Sequence, residues 1–511
     1  MSQRIGVAAP NAQSVDAALS VASRGGGAVD AAIAAMLTTM VNEPGIVSLT
    51  AGAFVTIWPA GDADEAITVD GCVAMPGLGR SPDADAPVVR DVHTDYGGGL
   101  NMTVGHGSVA TPGALAAFHL AQESYGRVRW ADVVAPAEEV ARDGFGVSTA
   151  SGYYLPHTRD TVFAWDPETA SSLRTPSGGW VETGDRMVIP GLADTLGLIA
   201  ADGARIMYDG ALAERIAADM SQRGGLLTAD DLASYRPIVR PTIPFSCGDW
   251  QLRTNPPPAF GGAVLAAMLT LLDGRPASEW SAEDVDHLIQ VQQQVLGHRR
   301  RHLDPADDRE ASANALLAEV GIPLRGSPST AHISVVDSTG AACAVTASSG
   351  YGSGATVPGT GLWLNNCLGE HELNTGPGLQ PGQRLASNMA PTVGRSADGS
   401  VLAVGTPGAD RITTALTQVL AAFANGRSPL QAAIDGPRVH VHHLDDAGGM
   451  QLEAEADMPL PETNLPVRRH EPLSMYFGGV AAAHLSPSGE ITAAADPRRA
   501  GAVAVGPTVT G

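Results

Sequence analysis

Sixty glycines and 36 prolines, scattered through 511 residues without a collagen-like period, cut the apolar sequence into short pieces and imply many tight turns. The longest oily stretches, Ala31–Val41 and Ala263–Leu272, are broken by Thr and have the length of a helix in a globular core, well short of a membrane span. With 44% hydrophobic and 17% charged residues, the mix is that of a well-buried globular chain and not of a disordered one. The length suits roughly three domains, or one large α/β domain with elaborations.

The charged residues exclude several chemistries. Acidic side chains outnumber basic ones 54 to 31, a net charge of −23, and every one of the 31 is Arg. Without Lys the chain has no side-chain amine for a Schiff base and none for a phosphate-cradling P-loop. The acidic balance opposes nucleic acid as a partner, because binding phosphates needs a basic surface. Four cysteines, Cys72, Cys247, Cys343 and Cys367, lie far apart with no C-x-x-C pair, which argues against a zinc knuckle, a thioredoxin-type motif or a disulfide framework. The opening MSQRIGVAAPNAQS lacks the apolar region of a secretory signal, so the expectation is a cytoplasmic, reduced protein with no membrane partner.

Helices are expected over Val15–Ser23, stopped by Gly25-Gly26-Gly27, and over Ala28–Asn42, ended by Glu43-Pro44-Gly45. Strands are expected at Ala53–Trp58 and Glu65–Val69. Thr111-Pro112 opens a helix that stops at Tyr125-Gly126, and a further helix spans Ala211–Met220. Thr228-Ala-Asp-Asp231 has the pattern of a capping box. A rigid Pro256–Pro258 turn leads to a buried helix, Ala263–Leu272, and an amphipathic helix follows over Ser281–Leu296. Residues 303–329, with acidic, Pro and Gly residues, read as an exposed segment. A strand at Thr330–Asp337, a Ser-Thr-Gly turn and a second strand at Ala341–Thr346 come directly after it, and Thr413–Ala424 is the clear helix of the last third.

Most motifs have a plain structural reading. His298-Arg-Arg-Arg-His302 is expected to complement a helix dipole, and His440 and His442, on one face of a strand, to be structural, since no acidic or Cys ligand lies at regular spacing. Gly105-His-Gly107-Ser-Val-Ala110 lacks the preceding strand and acidic partner of a dinucleotide site, and G-x-S-x-G is absent. No cofactor or metal is called for. Thr330, at the start of a buried strand behind a loose tether, would by itself be an ordinary β-branched residue.

Its company changes that reading. Gly26-Gly-Ala-Val-Asp-Ala-Ala-Ile33, Pro112-Gly-Ala-Leu-Ala-Ala-Phe118, Tyr125-Gly126, Ala141-Arg-Asp-Gly-Phe145, Leu226-Leu-Thr-Ala-Asp-Asp-Leu232, Pro256–Pro258 with Gly261-Gly262, and Thr330-Ala-His-Ile-Ser-Val-Val-Asp337 occur in that order. Leu364-Asn-Asn366, Met389-Ala-Pro-Thr392, Thr406-Pro-Gly408-Ala-Asp-Arg-Ile412 and Asp496-Pro-Arg-Arg-Ala-Gly-Ala-Val503 continue the series. Taken together they resemble the γ-glutamyltransferase (γ-glutamyltranspeptidase) family of N-terminal nucleophile hydrolases from end to end.

The resemblance implies an α/β fold, the four-layer αββα sandwich, built jointly by two fragments of one precursor. The cut would fall between Ser329 and Thr330, leaving residues 1–329 as a large subunit and 330–511 as a small one, associated as a heterodimer. Thr330 would be the nucleophile, with its freed α-amine as base. Ser348 falls where the family has a hydroxyl that bonds the nucleophile, and Gly408 and Ala409 where two backbone N–H groups form an oxyanion hole. For the substrate, Arg90 or Arg80 would hold a glutamyl carboxylate, with Arg90 matching by its Arg-Asp pair and Arg80 by its distance from Pro76. Glu370 would receive the α-amine, and Ser387-Asn388 replace a pair of serines. Cys367 and Gly350 stand where the family has Gln and Asn. The implied activity is cleavage of γ-glutamyl amides such as glutathione, with transfer to water, an amino acid or a peptide. Two alternatives stay open: an acylase on the same scaffold, taking a glutaryl-type or small amide such as oxamate, and a non-processing binding homologue. Members of the family are often exported, in tension with the cytoplasmic expectation.

Overall fold

The computed structural model describes residues 4–61, 65–81, 83–96, 99–320, 331–371, 373–374, 378–444 and 449–507. Thirteen of the described strands make two large sheets. In chain order they are β1 Ile5–Ala9, β2 Gly52–Trp58, β3 Ile67–Gly71, β4 Ile238–Pro241, β5 Ile243–Cys247, β6 Trp250–Thr254, β7 Ala331–Asp337, β8 Ala342–Ser348, β9 Thr392–Ser396, β10 Val401–Gly405, β11 Ala481–Leu485, β12 Ile491–Ala495 and β13 Ala502–Gly506. The first sheet runs β13-β1-β7-β8-β2-β3-β4 and the second β12-β11-β10-β9-β6-β5, with antiparallel pairing throughout. Both sheets therefore combine strands from before residue 330 with strands that follow it, and in the first sheet β1 lies between the late strands β13 and β7.

Side chains on the facing sides of the two sheets, among them Trp58, Val336, Ala344, Val393, Ala403 and Ile491, form one buried layer. Helices cover the outer faces. On the first sheet lie α1 (Ala12–Ser23) and α2 (Ala28–Asn42), and on the second α3 (Gly261–Leu271) and α6 (Ile412–Ala424), each with its own apolar core. The chain has the four-layer αββα arrangement that the resemblance implies. Among the described residues, no helix is long and apolar enough to cross a membrane.

Helix α2 is where the sequence spoke most clearly. Every residue of it is buried, which its run of Ala permits, because small side chains let a helix approach neighbours on all sides. Asp30 fixes its start by accepting from the N–H groups of Gly27 (2.9 Å) and Arg127 (2.8 Å). Asp337, at the end of β7, accepts from the N–H of Ala28 at 3.1 Å and turns the next hairpin by accepting from Thr339 N at 2.9 Å. Two of the quoted motifs are thus one joint, an N-terminal helix pinned to the end of a central strand.

The expected exposed segment at 303–329 needs correction as far as residue 320. Leu303 is fully buried, and α5 (Arg309–Glu319) packs Ala313, Leu316 and Leu317 into the same core as α3, α6 and α4 (Ala282–His298). The i, i+3, i+4 spacing of those three residues is a narrow helical stripe that the surrounding acidic residues mask. Residues 321–329 lie outside the described residues.

Candidate active site

Strands β7 and β8 set the first edge of the site. Their ladder pairs Ala331 with Ala347 and His332 with Thr346, and Ser348 ends β8 opposite Gly52 of β2. Ser348 is 7% exposed, and its hydroxyl accepts from the N–H of Gly350 at 3.0 Å. Ser329 and Thr330, the expected scission site and nucleophile, lie outside the described residues.

The second sheet contributes the opposing turn. After β10 the chain passes through Thr406, Pro407 and Gly408 into a tight turn, Ala409–Arg411, that opens α6. Gly408 has φ 143° and Ala409 φ 52°, so consecutive residues hold left-side backbone conformations. Thr406 locks the turn by donating to Pro407 O (2.8 Å) and accepting from Gly479 N (3.0 Å). The sheets touch closely just before it: a Cβ on Gly405 would lie 2.3 Å from the ring of His332.

The His332 ring has a single consistent tautomer. Ser334 donates to Ala481 O at 3.0 Å, so it accepts from Nε2–H of His332 at 2.7 Å, leaving Nδ1 to accept from the Thr346 hydroxyl at 2.8 Å. Burial pushes its pKa from 6.5 down to about 3. The native ring stays neutral while the unfolded chain takes up a proton below about pH 6.5. Its contribution to stability is whole above that pH and is lost toward pH 3 at about 1.4 kcal/mol per unit. Urea denaturation in steps from neutral pH down should show this acid limb, and His332→Asn should shallow it.

Ser348, Gly408, Ala409 and Glu370 line one cleft. Its walls also carry Tyr96, Tyr154, Tyr351, Arg411 and Arg499. Tyr96 and Tyr154 meet edge to face at 4.9 Å, and Tyr154 donates to Tyr351 O at 2.7 Å. Burial raises the Tyr154 phenol well above its ordinary pKa, so it is a hydrogen-bond donor and not a base. Glu370 is 5% exposed and lies against Gly350, where φ is 62° and a Cβ would come 2.3 Å from Asn366 Oδ1 and 3.2 Å from the Glu370 carboxylate. Asn365 braces this wall, its side chain donating to Thr50 O and Ala110 O and accepting from Ala110 N and Cys367 N. The four cysteines are buried, and burial raises each thiol, Cys72 and Cys247 to about 12, which leaves none as a ready nucleophile.

Four expected substrate residues lie elsewhere. Arg90 is exposed on the strand Arg90–Thr94 with its guanidinium 5.5 Å from the Trp165 ring, and Arg80 donates to Asp85 O at the surface. Ser387 and Asn388 are buried beneath the start of α3: Ser387 O accepts from Phe260 N at 3.1 Å, and Asn388 Oδ1 accepts from Arg299. A Cβ on Gly261 would strike Asn388 O at 2.3 Å, which accounts for the glycine there. None of the four is among the described residues lining the cleft.

Sequence reasoning passed over Arg411, inside a quoted motif, and Asp410, which stands beside the two histidines of the strand Val439–His443. Asp410 Oδ2 is 3.2 Å from His440 Nε2 and 3.7 Å from His442 Nδ1, and the three side chains are close enough to face one ion. Asp410 Oδ1, however, is held by the Arg411 guanidinium. Desolvation resists charge on Asp410, but Arg411, with His440, outweighs it and keeps the carboxyl well below its usual range. The group is therefore an ion-pair network that steadies the turn, with an arginine already occupying the charge a metal would need.

Comparison with known proteins places this arrangement. The family model described as Gamma-glutamyltranspeptidase matches residues 14–506. The chain is 27% identical to the glutathione hydrolase proenzyme of Escherichia coli (strain K12), over 96% of this chain and 90% of that protein. It is 28% identical to the acylase ACY 1 proenzyme of Pseudomonas sp. (strain SE83), over 92% and 88%. In fold it is similar to the crystal structure of cephalosporin acylase from Bacillus halodurans, with TM-score 0.82 at 23% identity, over 98% of this chain and 96% of that one.

Proposed function

The chain belongs to the γ-glutamyltranspeptidase family, and from that premise we propose that it is a self-cleaving amidohydrolase whose nucleophile is Thr330. One observation carries the reading: Ser348, Gly408 and Ala409, on different sheets, line the same cleft beside the strand that starts at Ala331. Thr330 is the residue joined to Ala331, and consecutive Cα atoms across a trans peptide are about 3.8 Å apart.

In the first reaction the Thr330 hydroxyl attacks the Ser329 carbonyl carbon. The peptide nitrogen leaves as the acyl group moves to oxygen, and water then hydrolyses the ester, freeing the Thr330 amine. In turnover that amine takes the proton of its own hydroxyl as Oγ adds to the donor carbonyl. The oxyanion lies on the N–H groups of Gly408 and Ala409, and such a donor is typically worth about 3 kcal/mol in the transition state. The proton passes to the leaving amine as the amide C–N bond breaks. Water or an amino group then takes the acyl chain from Oγ. Ser348 bonds the nucleophile and assists processing. The proposed donors are γ-glutamyl amides, glutathione among them, consistent with the similarity to glutathione hydrolase proenzymes.

Because the reactive amine must be free base, kcat/KM should rise with pH through an apparent pKa near ~7.7–8.0 and level off above it. A pH profile with a γ-glutamyl anilide checks this, and a flat profile across that range contradicts an α-amine base.

A second reading, an acylase without need of an α-amine, is favoured by Gly350. The family's Asn would fit there only if the Asn366 side chain moved, since a Cβ would come 2.3 Å from Asn366 Oδ1. The similarity to acylase ACY 1 points the same way. Turnover of γ-glutamyl and glutaryl anilides by the processed protein separates the two, and preference for the glutaryl donor removes the γ-glutamyl reading.

A further inference from the structure

Arg411 sits two residues beyond Ala409 in the same tight turn, its N–H bonded to Gly408 O at 2.9 Å. The proposed oxyanion donors and this guanidinium thus share one rigid piece of backbone. Its side chain is 16% exposed and lines the cleft. Nε donates to Tyr476 O at 3.0 Å, Nη1 donates to Asp410, and the guanidinium packs 4.4 Å from the Tyr476 ring centroid. A guanidinium has five N–H donors in a fixed fork, and these bonds use two. Nη2 has no hydrogen-bond partner among the described residues, though it belongs to a group held rigid on its other edge. Burial works against the charge, but Asp410 holds Arg411 above its ordinary pKa. A second cation, Arg499, lines the same cleft, and its buried Nε also has no partner among the described residues.

Resting on the acyl-transfer reading above, we propose that Arg411, and neither Arg90 nor Arg80, receives the carboxylate of the acyl donor, so that preferred donors are half-amides of short dicarboxylic acids. A carbonyl seated on Gly408 and Ala409 brings the far end of a short acyl chain to a guanidinium on the same turn. Neither Arg90 nor Arg80 is among the residues that line the cleft. The Tyr476 carbonyl and Asp410 orient the fork, so little side-chain freedom is lost when the carboxylate docks.

The test compares donors that differ only in that carboxylate: glutaryl against butyryl p-nitroanilide, and γ-glutamyl against 4-aminobutyryl p-nitroanilide. In the unaltered enzyme the carboxylate should raise kcat/KM by roughly 30- to 100-fold, as for a charge-assisted pair. In Arg411→Gln that ratio should collapse toward one, mainly through KM, and Arg411→Lys should restore part of it. Arg90→Gln, Arg80→Gln and Arg499→Gln should keep the full ratio. If Arg411→Gln slows both members of each pair equally, the residue only braces the turn and the proposal falls. It falls also if the ratio collapses in one of the other three variants. Calorimetric titration of glutarate into the same proteins reads the site without turnover: binding weakened about tenfold or more in Arg411→Gln supports it, and unchanged binding overturns it. If no anilide is cleaved but glutarate binding still depends on Arg411, the acyl-transfer reading fails and the carboxylate site stands.

Discussion

Thr330→Ala should leave the protein as one uncut chain and lower turnover by about 10⁴-fold or more, the scale on which enzymes lose activity when the nucleophile is deleted. The change removes the atom that would attack the Ser329 carbonyl, so it stops processing and catalysis together. Thr330→Ser keeps an hydroxyl and should still split, more slowly, with measurable activity. Electrophoresis and intact mass of purified protein read the first effect, and steady-state turnover of a γ-glutamyl or glutaryl anilide reads the second. Unaltered protein should yield fragments 1–329 and 330–511 that stay associated. Their strands interleave in the first sheet, with β1 lying between β13 and β7 and β8 paired with β2, so separating them would break three strand pairings there and open the layer between the sheets. An unaltered chain that remains whole and active would remove the proposal, and one that remains whole and inert would favour the binding homologue.

The sequence disclosed those parts of the molecule in which local signals and tertiary demands agree. Ala28–Asn42 is a helix over the expected residues because glycine punctuation and small apolar side chains bound it on both sides. Thr228 caps its helix by accepting from Asp231 N at 3.1 Å while Asp231 accepts from Thr228 N at 2.9 Å, the reciprocal pair its spacing announced. The layered architecture followed from the ordered motifs, several of which prove to be a close approach or a bracing group, as at Asn365, Gly261 and Asp337. What stayed hidden depends on distance in space. Asp410 meets His440 across 30 residues of sequence, and the ring wall of Tyr96, Tyr154 and Tyr351 comes from three separate loops and helices. Helix α5 was obscured because its buried stripe is three residues wide in an acidic setting. Arg90 matches by a neighbouring Asp and Arg80 by its distance from Pro76, local features that carry no information about which guanidinium turns toward a cleft.

Gly408→Val should cut kcat by about 10²–10³-fold with much less effect on overall folding, the loss expected when an oxyanion donor is misplaced. At φ 143° the residue occupies backbone space that side chains rarely adopt, and even a Cβ there would lie 3.1 Å from Gly478 Cα. A branched side chain adds bulk at that contact, so the turn must rotate and take its N–H groups out of line. Ala409 makes the opposite case. It too is left-handed, at φ 52°, yet it already bears a Cβ, so the strain is present in the native protein. Ala409→Gly keeps the N–H and relieves that strain, and it should stabilise the fold by up to about 1 kcal/mol, less what glycine gains in the unfolded chain. Thermal melts read the stability of both variants, and kcat on the processed protein reads the turn. Equal losses of kcat in the two would mean that the bulk at these positions matters and the direction of their N–H groups does not, which would remove the oxyanion role from the turn.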